Sequence, residues 1–199
     1  ARKLYEDACA KSGKTPEKLE GPATWAPASG ISALVNQGEA VSPELQIQKF
    51  GPDAGGLHWL IIYGLKGMAA YADHALILGK QDEGVYAFFH KALKRLAEEP
   101  MTADNLLGLA LECGEVNLKI MGLLDAANTE AYGNPVPTKV RVTPVKGHAI
   151  LVSGHDLLDL EELLKQTEGK GINIYTHGEM LPAHGYPGLK KYPHFAGNF

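Results

Sequence analysis

Residues 148–179 read HAILVSGHDLLDLEELLKQTEGKGINIYTHGE, and this stretch decides the fold. His148 to Ser153 is a compact apolar strand. From Asp156 to Thr167, the residues Leu157, Leu160, Leu163 and Leu164 recur at helical spacing and predict an amphipathic helix. Asp156 is its natural N-cap, and Gly169 and Gly171 end it. Ile172 to Thr176 is the next strand. Strand, helix and strand within about 30 residues make a β-α-β unit with parallel strands. A single unit cannot cover both faces of a sheet, so further strands are expected beyond the sequence in hand.

Upstream the texture is helical. Ala1 to Ser12 is predicted as a short helix. Residues 13–52 are broken by Pro16, Pro22, Pro27, Pro43 and Pro52, with short helical pieces between them. Leu57, Leu60, Ile61, Leu65, Met68, Ala72, Ala75 and Leu76 then give one apolar face on a helix of about 25 residues ending near Gly79. A second helix runs from Gly84 to Glu99, with Val85, Phe88, Phe89, Leu93 and Leu96 inward and Pro100 as its stop. Thr102 is the expected N-cap of a third, long helix through Leu106, Leu109, Cys113, Val116, Ile120 and Leu124. Short links between them predict an antiparallel three-helix bundle. Lys139 to Val145 reads as a strand interrupted at Pro144. The expected fold is therefore α plus α/β. A three-helix-bundle-like domain over residues 1–135 is followed, over residues 136–199, by the first β-α-β unit of a truncated Rossmann-like parallel sheet.

Composition narrows the function. The chain has 199 residues, 45% hydrophobic and 21% charged, with a net charge of -4 and a pI near 6.1. No basic stripe stands out, which argues against nucleic acid as a partner. No apolar run reaches the ~18 residues of a membrane helix. The first residues carry no leader pattern, and a cytoplasmic protein is expected. With only Cys9 and Cys113, neither a disulfide scaffold nor an all-cysteine metal site can be built from this chain. A start at Ala1 and a stop at Gly197-Asn198-Phe199 without a closing helix predict a piece of a longer polypeptide.

In open α/β sheets, ligands bind beyond the carboxyl ends of the strands. Here those ends are Ser153-Gly154-His155-Asp156 and Thr176-His177-Gly178-Glu179. His155 and Glu179 emerge from the same edge of the sheet, on neighbouring strand ends. Gly154 and Gly178 allow the sharp turns before them. An imidazole and a carboxylate so placed suit a first-row metal such as iron. A histidine at a strand-to-helix turn is also a common hydrogen-bonding turn residue, and position alone leaves both readings open.

The longer strings carry more. GHDL at 154–157, LLKQTEG at 163–169, YTHGEMLPAHGYP at 175–187, KKYPH at 190–194 and GN at 197–198 stand in order and spacing. YGLKGMAAYADHALILG at 63–79 and LLDAANTEAYGNPVPT at 123–138 precede them. From about Gly55 to Phe199 the sequence closely resembles the hybrid-cluster protein family, once called prismane proteins. The first ~50 residues are less distinctive.

The resemblance implies that His155 and Glu179 each ligate an iron of a hybrid [4Fe-2O-2S] cluster. It implies further ligands, cysteines among them, and a second iron–sulfur cluster on an N-terminal cysteine motif, all outside this sequence. Cys9 and Cys113 match neither set, and Cys113 reads as a core residue. The implied chemistry is hydroxylamine reduction to ammonia and water, with nitric oxide as another substrate and a separate electron-donor protein. His177 is expected either to support the Glu179 carboxylate from behind or simply to be exposed. His184 and Tyr186 either line the substrate cavity or pack beside Pro182 and Pro187. His194 is expected to pack, and His58, His74 and His90 to lie at a surface or interface. Two rivals stand beside this reading: a carbon monoxide dehydrogenase-like subunit, which shares the fold, and a metal-free structural segment without catalysis.

Overall fold

A computed structural model describes residues 2–98 and 102–199, without the side chain of Pro22. Ala1, Glu99 and the helix stop expected at Pro100 lie outside the described residues. The chain divides into two compact units, Ala1–Gly55 and Gly56–Phe199.

The first unit holds three short helices, α1 (Arg2–Lys11), α2 (Ile31–Glu39) and α3 (Pro43–Phe50), with a 3-10 turn at Gly21–Thr24. Side chains tie its loops. Tyr5 Oη accepts from the Glu17 amide at 2.9 Å. Gln37 accepts from the Ala28 amide and donates to the Ala26 carbonyl. Helix α4 (Pro52–Ile77) begins here and continues into the second unit.

In the second unit α4, α5 (Glu83–Glu98) and α6 (Ala103–Tyr132) supply the predicted long helices. Thr102 caps α6, its hydroxyl accepting from the Asn105 amide at 3.3 Å. Each helix buries one stripe: Ile61, Leu65, Met68, Ala72 and Ala75; Val85, Phe88, Ala92 and Leu96; Leu106, Leu109, Cys113 and Ile120. Met68 and Cys113 meet between α4 and α6, with their sulfurs 3.3 Å apart. Lys91 and Arg95 of α5 reach Glu112 of α6. Leu60, Leu76 and Leu93, expected inward, instead face out at 63%, 47% and 54% exposure. Each lies one residue from a buried neighbour, and a step of about 100° turns it off the stripe.

The sheet has three parallel strands in the order β1 (His148–Ser153), β2 (Ile172–His177), β3 (Phe195–Asn198). Helix α7 (Leu157–Thr167) connects β1 to β2 as predicted, capped by Asp156, whose carboxylate accepts from the Leu158 amide at 2.8 Å. A 3-10 segment at Gly178–Gly185 and the short α8 (Pro187–Lys190) lead into β3. The core of this region joins Tyr132 at the end of α6 to Leu160 and Leu164 of α7, Ile174 of β2, and Met180, Ala183 and Leu189.

Two expectations fail here. The third strand, expected beyond the chain, is β3 itself; the FAGN string is too short and small to announce a strand. Lys139–Val145, expected as a strand, makes only isolated backbone bonds. The Arg141 carbonyl accepts from the Asn198 amide at 2.9 Å, and the Val145 amide donates to Tyr175 Oη at 2.7 Å. Pro144 has no N–H to give a ladder.

Where this loop crosses β3 there is no room for a side chain: a Cβ on Gly197 would stand 2.3 Å from the Arg141 carbonyl oxygen. Gly197→Ala is therefore expected to destabilise the fold by about 1–3 kcal/mol through overpacking. Gly108→Ala, inside α6 with open space around it, should stabilise by about 0.5–1 kcal/mol through helix propensity. Urea unfolding of the two variants checks both signs.

Candidate metal centre

The strand register builds the centre. In the β1–β2 ladder Ser153 stands opposite His177. His155 and Glu179 each lie two residues past that pair, so the offset that pairs the strands also pairs these two side chains. Gly154 at φ 143° and Gly178 at φ 56° take the chain out of the sheet at both points. His155 Nε2 and Glu179 Oε2 are in direct contact. Both side chains are open to solvent, 58% and 73% exposed. The lone pairs of a neutral imidazole and an ionised carboxylate are the donors an iron ion takes. These two residues fit an iron site in part: among the described residues, no group of three or more His, Cys, Asp or Glu side chains is placed to hold a metal.

A cleft of about 220 Å³ opens beside His155, walled by Ser153, Asp156, Asp159, Met180 and His74. His74, expected at a surface or interface, comes from the last turn of α4. Nothing local in the sequence announces it, because it comes to the cleft only through the way α4 meets the sheet.

His177 sits at the strand edge, exposed, with Nδ1 3.4 Å from Ser153 Oγ. His184 is buried at 5% exposure, with Nε2 2.8 Å from Thr176 Oγ1 and its ring stacked on Phe195 at 3.9 Å. Tyr186 is 9% exposed and packs edge-on against Tyr132, in the core. His194 lies against the end of α7, its Nε2 3.1 Å from the Leu164 carbonyl and 2.9 Å from Thr167 Oγ1. Among the described residues the Tyr132 hydroxyl has no partner, and burial, with the Glu161 and Asp156 carboxylates, pushes its pKa up to about 12. Cys9 and Cys113 are both buried, and burial pushes the Cys113 thiol up.

Comparison with known proteins adds to this geometry. Residues 7–199 match the family described as the Prismane/CO dehydrogenase family. A hydroxylamine reductase of Rhodospirillum rubrum is 57% identical over 198 residues, covering 100% of this chain and 36% of that protein. One from Geobacter sulfurreducens is 54% identical over 202 residues, with the same coverage. One from Methanocella arvoryzae is 50% identical over 188 residues, covering 94% of this chain and 35% of that protein. The chain thus spans little more than a third of the length of these relatives. The similarity includes the first 50 residues, which carry no distinctive motif of their own.

Burial holds the His184 pKa below the ordinary histidine value, against a hydrogen bond that the ring donates to the Gly197 backbone and that favours the charged form. The unfolded chain therefore takes up this proton first as the pH falls through about 6.5. Stability should drop from there down to the folded-state pKa and level off below it. His58, also lowered by burial, adds a contribution of the same sign. Denaturant unfolding between pH 7.5 and 5 should show this slope, and His184→Gln should reduce it; an unchanged slope counts against the assignment.

Proposed function

This chain belongs to the Prismane/CO dehydrogenase family, and on that premise we propose that it is part of a hydroxylamine-reducing hybrid-cluster protein in which His155 and Glu179 are two iron ligands. The contact between His155 Nε2 and Glu179 Oε2 at the carboxyl edge of the sheet carries the reading. The names of the relatives favour hydroxylamine as substrate.

The balance is NH2OH with two electrons and two protons, giving NH3 and H2O. When bound, a hybrid iron–sulfur–oxygen cluster supplies the electrons and an iron with an open position. This chain's share is narrower. His155 must present a neutral nitrogen and Glu179 an ionised carboxylate, since only the deprotonated forms ligate. The strand register brings the two side chains together. Held by the Glu179 oxygen and the His155 nitrogen, iron would stay able to take a small N–O molecule. Nitric oxide is the proposed second substrate. A second iron–sulfur cluster and an electron-donor protein complete the scheme, and the cytoplasm is the proposed compartment. No helix among the described residues is long and apolar enough to cross a membrane.

The proposed domain division keeps a helical part over residues 1–135 and a ligand-bearing α/β part over 136–199. A metal-free structural role is the second reading.

In the intact protein, His155→Ala and Glu179→Ala should each lower bound iron and hydroxylamine-dependent oxidation of a reduced viologen dye. The loss should exceed the roughly 10–100-fold that removing a supporting group costs at a metal site. Unchanged iron content in both variants sinks the ligand assignment. Nickel in the purified protein would move the reading to a carbon monoxide dehydrogenase-like subunit. The 199-residue chain by itself should show no iron–sulfur absorbance, since two donors cannot hold a four-iron cluster.

A further inference from the structure

Glu179 sits on a turn that holds it only indirectly. Its side chain is 73% exposed and touches His155. Its position is set by the 3-10 segment Gly178–Gly185. Met180 and Ala183 press that segment into the core at 2% and 0% exposure. Its most specific anchor is His184.

His184 and Thr176 are buried at 5% and 0% exposure, in a place where an unmatched polar group would be costly. His184 Nε2 lies 2.8 Å from the Thr176 hydroxyl. With the ring's proton on Nδ1, Nε2 accepts from that hydroxyl. The network then fixes the Asn198 amide. With its Nδ2 toward Thr176, it donates to Thr176 Oγ1 at 2.9 Å and to the Thr176 carbonyl at 3.2 Å, and its oxygen accepts from the Phe199 amide at 3.3 Å. Every donor in the chain Asn198–Thr176–His184 has an acceptor. Phe195, stacked 13° from parallel on the imidazole, fixes the ring plane. The turn, β2 and β3 are thus tied at one buried point, five residues after Glu179.

We propose that the Thr176–His184–Asn198 network is a positioning device, which clamps the Gly178–Gly185 turn to the sheet and so sets the Glu179 carboxylate against His155. Its consequence for iron rests on the ligand reading above; the clamp itself does not. His184 acts through the turn and touches neither ligand.

The test uses the intact protein with Thr176→Val, which keeps the shape and removes the hydroxyl, and Thr176→Ser, which restores it. In metal-free protein, the His155 imidazole NMR resonance should shift in Thr176→Val and return in Thr176→Ser. In loaded protein, the electron paramagnetic resonance spectrum should change in the same pattern, with kcat/KM for hydroxylamine falling about 10–100-fold. Asn198→Ala, at the half-buried end of the network, should give a smaller change of the same kind and serves if Thr176→Val does not fold. A folded Thr176→Val or Asn198→Ala variant with the His155 resonance unmoved overturns the proposal. A shifted resonance with iron content insensitive to His155→Ala would uphold the clamp and reject the ligand reading.

Discussion

The parallel ladder between β1 and β2 is the constraint on which the rest depends. Its register places Ser153 opposite His177, and the two turns beyond that pair carry His155 and Glu179 outward by equal steps. A slip of one residue would turn every β2 side chain to the other face. Ile174 would leave the core, and the imidazole and carboxylate would part. The fully buried Leu160 and Leu164 of α7 hold the register from one face of the sheet. The burial that stabilises the sheet is therefore also what aligns His155 with Glu179.

The sequence exposes this part well because the information is local. Apolar runs, a period change and glycines at two turns are enough to place β1, α7 and β2 and to bring His155 beside Glu179. The long helices are legible for the same reason, and Thr102 and Asp156 cap them as their types predict. What stays hidden is set by distant chain. The outward leucines of α4 and α5 depend on which neighbour each helix meets. Strand β3 is visible only as a partner of Ile174 and Thr176, since Phe195-Ala196-Gly197-Asn198 has no strong strand propensity. Lys139–Val145 has that propensity, yet a single crossing at Arg141 and a proline at 144 keep it out of the sheet.

The histidines divide along the same line. His155 is placed by its motif. His184, His194 and His74 have no local signature that separates a buried hydrogen-bonding role, a helix-end contact and a cleft wall. Their roles follow from Thr176, Leu164 and the end of α4 respectively. An imidazole takes its role from the groups that surround it, and those groups lie 8 to 81 residues away.

These separations also order events in time. His155 and Glu179 stand 24 residues apart inside one β-α-β unit, whereas His74 and His155 stand 81 apart. Loop-closure entropy makes the second contact about 1 kcal/mol harder to form for a flexible chain. Contacts that close short loops lead in folding when other terms are equal. When the whole chain refolds, the β-α-β unit that sets His155 beside Glu179 is therefore the shorter loop to close, and the side of the cleft walled by His74 is the longer.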